Sequence, residues 1–257
     1  MMVKKIVVRS LFIICVFVFF VLYLAPANKL VSMVDLPKNV KLYDVKGDLW
    51  NGHVETVDID NVRLSKVDWK LNLFTLLFSK GMTVTVSDPE MLMGSFEVNV
   101  MKLNKEVRVK NVKFTSYLEK VTPLLKFPMM LKTEGGISGS FDTVILDGRG
   151  NFSSADGTIN FEDVLVQHPF DSELFIDVGR ITVSVKGDSR SLKFHIDQNS
   201  DVFSFNGDVT VNNLSEYVLS GGIRPKGSMP DKVASLISML GKPGSDGQIR
   251  IKYKGRI

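Results

Sequence analysis

The chain has 257 residues, 44% of them hydrophobic and 23% charged, with 32 basic against 28 acidic side chains. This balance excludes a disordered chain, a collagen-like chain and a multi-span membrane protein. One cysteine excludes an internal disulfide framework and a cysteine-based zinc site within one chain, and three histidines leave little material for a histidine-rich metal centre.

The net charge of +4 is unevenly placed. Residues 1–27 hold Lys4, Lys5 and Arg9 and no acid, which leaves 29 basic and 28 acidic residues in the rest. The body of the chain therefore has no electrostatic reason to bind nucleic acid.

Residues 11–25 read LFIICVFVFFVLYLA, with no charge, and Ile6, Val7 and Val8 extend the run beyond Arg9. A helix over this stretch rises ~1.5 Å per residue and can cross a ~30 Å hydrocarbon core. Lys4, Lys5 and Arg9 then predict a cytoplasmic N-terminus by the positive-inside rule. The alternative is a signal peptide, cleaved after Ala27, because Ala25-Pro26-Ala27 has the small-x-small form. Both readings put 28–257, a β-rich domain, on the far side of the membrane; in the anchor reading 1–27 is a cytoplasmic tail and transmembrane anchor. The single thiol, Cys15, falls in the span, so the exported part has none. That suits an oxidising compartment such as a bacterial periplasm.

Past the span, period-two alternation predominates and predicts strands. Val54-x-Thr56-x-Asp58 continues into IDNVRL; MTVTVS and SFEVNVMKL follow. In KEVRVKNVKF the apolar positions slip from Val107 and Val109 to Val112 and Phe114, which predicts a bulge near Asn111. Later strands are ISGSFDTVIL, GTINFEDVLV, FIDVGRITVSVKG, SLKFHIDQ, DVFSFNGDVTV and QIRIKYKGRI. Asn51-Gly52, Asp147-Gly148, Asp156-Gly157, Asn206-Gly207 and Asp246-Gly247 read as turns, since these pairs tolerate positive φ. Gly135-Gly136 and Gly221-Gly222 read as bends. A loose repeat of a glycine followed by an alternating run suggests a sheet built by adding hairpins.

Three segments break the pattern. Residues 71–78 could be a helix or a buried strand, and 116–127 has helical apolar spacing. Residues 230–241 open on Pro230 and Asp231 and stop at Gly241, with Val233, Leu236, Ile237 and Leu240 as the apolar face of a helix that covers a sheet. The fold class is therefore all-β: one N-terminal transmembrane helix, then a bent, largely antiparallel, partly open sheet with a few short helices.

Candidate chemistry is sparse. His53 shares a strand face with Glu55, His195 with Asp197, and His168 sits in a loop before Pro169. Such pairs are usually surface neighbours, and no nucleophile elbow, zinc helix or phosphate loop accompanies them. No catalytic residue, cofactor or metal is expected. Lys102, Lys105, Arg108, Lys110 and Lys113 form a basic strand cluster, read first as a solvated face and second as a contact for anionic headgroups or an acidic partner.

One stretch is more specific. Leu36-Pro37 precedes Val45-Lys46-Gly47-Asp48-Leu49-Trp50-Asn51-Gly52, and Val67-Asp68-Trp69-Lys70-Leu71, Leu76-Leu77 and Gly81 follow. This resembles the N subunit of type II secretion systems, the general secretion pathway protein N family, over residues 24–90. Asp48 stands where that family usually has threonine. A closing Gly247, Tyr253 and Gly255 adds to the likeness. The resemblance implies a non-enzymatic inner-membrane component of the secretion machinery. Its partners would be other envelope subunits and, through the N-terminal helix, the bilayer. Gly47, Leu49, Trp50, Gly52, Trp69, Leu71 and Gly81 would serve structure or partner contact. The early pattern also looks like the AsmA-like families, whose curved sheets handle lipid, so a lipid carrier with an apolar groove is the rival reading. By size alone Trp50 and Trp69 would each bury ~150–250 Å² and anchor the first strands against 71–78. Gly47 and Gly52 would bracket a tight hairpin.

Overall fold

In the computed structural model, residues 25–32, 36–37, 39–60, 62–71, 80–100, 106–124, 132–147, 151–168, 171–227 and 229–256 are described. The proposed span and Lys4, Lys5 and Arg9 lie outside them, as do residues 72–79. Among the described residues no helix is long and apolar enough to cross a membrane. The chain forms two compact units, Met1–Asp88 and Pro89–Ile257.

The described residues of the first unit form a short helix, α1 (Ala27–Val31), and four strands: β1 (Val40–Gly47), β2 (Asn51–Ile59), β3 (Val62–Leu71) and β4 (Lys80–Asp88). The strands pair antiparallel in chain order. The expected single run from Val54 into IDNVRL is broken, because Asp60 takes φ 51° and turns β2 into β3. Cross-strand rows are apolar: Val45, Val54, Val67 and Val86 form one, and Leu42, Val57 and Leu64 another. The two rows are three residues apart, which in a regular strand puts them on opposite faces. Asp44 and Lys66, with φ of 55° and 53°, interrupt the alternation between them in β1 and β3, and Val54 and Val57 are both buried. The carboxylate of buried Asp88 accepts the Ser65 N–H at 2.7 Å.

The described residues of the second unit form nine strands: β5 (Leu92–Val100), β6 (Val107–Tyr117), β7 (Thr133–Leu146), β8 (Phe152–His168), β9 (Asp171–Asp188), β10 (Ser191–Asn199), β11 (Phe203–Asn212), β12 (Glu216–Pro225) and β13 (Ile249–Arg256). They too pair antiparallel in chain order, as added hairpins should. The bulge expected near Asn111 is present: Asn111 has φ 52° and the β5–β6 register shifts between Ser95 and Glu97.

One face of this sheet is apolar and the other polar. Phe141, Gly157, Val185, Phe194, Val209, Leu219 and Tyr253 are successive cross-strand partners on the apolar face. Thr158, Ser184, His195, Asp208, Ser220 and Lys252 form a row on the polar one. Ala155, Val185, Leu192 and Val211 are the buried centre of the apolar face.

A second core lies under the helix α3 (Asp231–Leu240), where Val233 and Ile237 meet Ile223 of β12 and Ile249 of β13. This is the sheet-covering helix expected from Pro230 and Gly241. Its buried stripe is narrower than its apolar face, since Leu240 is 55% exposed. The helix expected at 116–127 is shorter: 116–117 complete β6, then α2 (Leu118–Val121) and a 3-10 turn (Thr122–Leu124) follow.

Three of the five turn dipeptides lie in strands. Asn51-Gly52 opens β2, Asp156-Gly157 lies within β8 and Asn206-Gly207 within β11. Gly157 and Gly207 are used for close approach. A Cβ on Gly157 would come 2.4 Å from the Phe141 ring, and one on Gly207 would come 2.7 Å from the ring of Phe205. Gly221-Gly222 likewise sits inside β12, a strand that alternation alone does not reveal. Gly135, with φ 135°, marks a register shift in β7. Gly148 of the Asp147-Gly148 pair lies outside the described residues, and Asp246-Gly247 turns the chain into β13.

Candidate functional site

The family-like residues of the first unit gather at one end of its four strands. Gly47 and Gly52 are the closing pair of the β1–β2 hairpin. Gly47 has φ 89°, and a Cβ there would come 2.3 Å from the Asn51 carbonyl oxygen, so the turn demands glycine. Within the turn the Asp48 carboxylate accepts the N–H groups of Trp50 at 2.8 Å and Asn51 at 2.7 Å. This Asx-type turn is what Asp48 contributes to the hairpin.

The hairpin tip is tied to β3 at two points. The Leu71 N–H donates to the Trp50 carbonyl, and the Trp69 indole N–H donates to the Leu49 carbonyl at 3.3 Å. Gly52 faces Trp69 across the strands, and a Cβ on it would lie 1.8 Å from the indole ring. The ring therefore covers a glycine, and no larger residue leaves it room. Leu71 pairs with Met82, the residue after Gly81 at the start of β4. All seven residues are thus brought together, and Trp69 is held by β2 and the hairpin tip. The expected packing against 71–78 involves residues beyond those described. A depression of about 480 Å³ is lined by Gly47, Gly52, the Trp69 ring, His53, Asp68 and Lys70, among others.

His53 has a partner that sequence spacing does not show. Its Nδ1 is 2.8 Å from Asp68 on β3, and its Nε2 is 3.2 Å from Glu55. The hydrogen bond to Asp68, then that to Glu55, raises the His53 pKa above its ordinary value of 6.5. The missing clue was register: once Gly52 pairs with Trp69, His53 must pair with Asp68. His195 also has its partner across the sheet, with Nδ1 2.9 Å from Asp208; Asp197 is not its partner. His168 is buried at the end of β8, opposite Asp171, and is not a loop residue.

In the basic strand cluster Arg108 reaches Glu106 at 3.4 Å, and Lys110 stands opposite Glu97 in the ladder. Lys102 and Lys105 fall outside the described residues. No group of three or more acidic, histidine or cysteine side chains able to hold a metal occurs among the described residues.

This arrangement defines an all-β protein of antiparallel meanders, marked by one hairpin whose glycines, aspartate and tryptophans lock together. The chain belongs to the family described as Type II secretion system (T2SS), protein N, whose model matches residues 38–252. It is thus a type II secretion system component. It is similar to the Type II secretion system protein N of Aeromonas hydrophila, 25% identical over 264 residues that cover 99% of both chains. The protein of the same name from Klebsiella pneumoniae is 21% identical over 247 residues, 96% of this chain and 94% of that one. That of Pectobacterium carotovorum is 20% identical over the whole of both. No solved structure matches the chain.

Proposed function

We propose that this protein is a non-enzymatic inner-membrane subunit of the type II secretion machinery. Residues 1–27 anchor it with the N-terminus in the cytoplasm, oriented by Lys4, Lys5 and Arg9, and 28–257 lie in the periplasm. It assists the export of folded proteins from periplasm to exterior by contacting other envelope subunits. The observation that carries this reading is the family match over residues 38–252, with relatives of the same name aligned from end to end. Anchoring confines the subunit near its partners, so weak contacts suffice.

In this reading Gly47, Leu49, Trp50, Gly52, Trp69, Leu71 and Gly81 build the hairpin end and keep it rigid. Deleting the chain should leave exoproteins in the periplasm, and machinery subunits should co-purify with the detergent-extracted protein. Unimpaired export with no co-purifying subunit would sink the proposal. Trp50→Ala should lower folded yield and assembly together. Normal folding with lost assembly would make the hairpin a partner contact instead.

The apolar face of the second unit favours one rival. A bent sheet presenting Phe141, Phe194, Val209 and Leu219 could hold acyl chains, which would make the protein a lipid carrier. Lipid that co-purifies with the protein and crosslinks to these positions would support the rival.

A further inference from the structure

The last strand, β13, is hydrogen-bonded on one side. Among the described residues it pairs with β12 alone. In an antiparallel ladder every second residue then turns its N–H and C=O away from the neighbour, which leaves a template for one more strand. The sequence of β13 is IRIKYKGR. Ile249, Ile251 and Tyr253 share the apolar face of the sheet, and Tyr253 packs against Tyr217 with ring centroids 5.9 Å apart. Arg250, Lys252, Lys254 and Arg256 alternate with them, all exposed on the polar face. Arg250 meets Asp246 at 3.2 Å and Arg256 meets Glu216 at 3.3 Å. Among the described residues no acid lies within ion-pair distance of Lys252 or Lys254.

We propose that the free edge of β13 receives an extended segment of another protein, a strand that alternates acidic and apolar residues. The charge pattern selects this occupant. A strand added to β13 sets its side chains about 5 Å from their cross-strand partners. Acids at alternate positions would then face Lys252 and Lys254 while apolar residues extend the Ile251–Tyr253 face. A second copy of this chain fits poorly. Two β13 edges paired antiparallel bring four cations against four, and the edge strand β1 offers Lys41 and Lys46. Lysines on an edge discourage indiscriminate pairing and leave an acidic strand as the favoured guest. An anionic membrane surface would satisfy the charges and leave the edge hydrogen bonds unused.

The test uses the full chain in a non-ionic detergent. The probe is a fluorescein-labelled peptide of about nine residues, matched to a strand's length, alternating glutamate and valine. It should bind, and its binding should weaken as salt rises. Hydrogen exchange should slow in 249–256. Two controls should each bind roughly tenfold more weakly: the same peptide N-methylated at alternate residues, which keeps the charges and removes the backbone donors, and the same composition with its glutamates in one block. The variant Lys252→Glu with Lys254→Glu should lose roughly tenfold in affinity. If circular dichroism shows that it does not fold, Lys252→Gln with Lys254→Gln should show a smaller loss in the same direction. No peptide binding, equal binding of the controls, or binding of anionic phospholipid vesicles in place of the peptide would each overturn the proposal. The result is independent of the Trp50 test, because the two probe different units of the chain.

Discussion

The two ends of the described chain bury apolar surface by different means. In the first unit the closure is local: a tryptophan ring lies over Gly52, and its indole and the neighbouring backbone tie down a hairpin tip. In the second unit the β12–β13 end is covered by a separate element, the helix α3, with Val233 and Ile237 set on Ile223 and Ile249. One mechanism depends on the absence of a side chain and the other on the presence of two. The first should fail by overpacking and the second by leaving a cavity.

Substitutions that strike each closure separately test the contrast. Gly52→Val should have the largest effect, destabilising the first unit by about 3 kcal/mol, since the ring cannot yield the missing space. Hydrogen exchange should show the loss in β2 and β3 with β10–β12 unchanged. Ile237→Ala should cost about 2 kcal/mol and speed exchange in β12 and β13 alone. If either variant loosened both units equally, the two closures would not be separate.

Asp48→Ala is a finer probe. Removing the acceptor of two backbone N–H groups at a half-buried turn should cost about 1 kcal/mol. It should raise exchange at Trp50 and Asn51 before anywhere else, while Asp48→Asn retains most of the protection.

The smallest effect concerns pH. Partners in the folded state raise the pKa of His53, so its stabilising contribution is fully present below about 6.5. It is lost as pH rises through the folded-state value. The urea midpoint of the first unit should therefore fall slightly as pH rises from 6.5 through the raised folded-state value. His53→Gln should flatten this dependence, and an unchanged slope would show that the Asp68 contact carries no weight.

Much of the β architecture is legible in residue order. Alternation marks most strands, the slip at Val112 marks the Asn111 bulge, and Pro230 with Gly241 bounds α3. The hairpin bracketed by Gly47 and Gly52 is likewise readable from its glycines. Other features mislead because one residue type serves two purposes. Gly157 and Gly207 look like turn residues, yet Phe141 and Phe205 fill the space above them within strands. Gly221-Gly222 conceals β12 for the same reason, as the Phe205 ring also approaches Gly221. In the first unit, three-residue apolar spacing becomes a buried pattern because Asp44 and Lys66 adopt positive φ, which no alternation rule anticipates.

The sequence by itself determined the all-β class, the antiparallel order of neighbours and the family, because alternation, turn chemistry and the glycine–tryptophan motif are local. Only the tertiary structure decided which acid meets which histidine, which glycines lie beneath aromatic rings and which cations line the β13 edge. Those depend on cross-strand register, and register is set by the packing of side chains far apart in the chain.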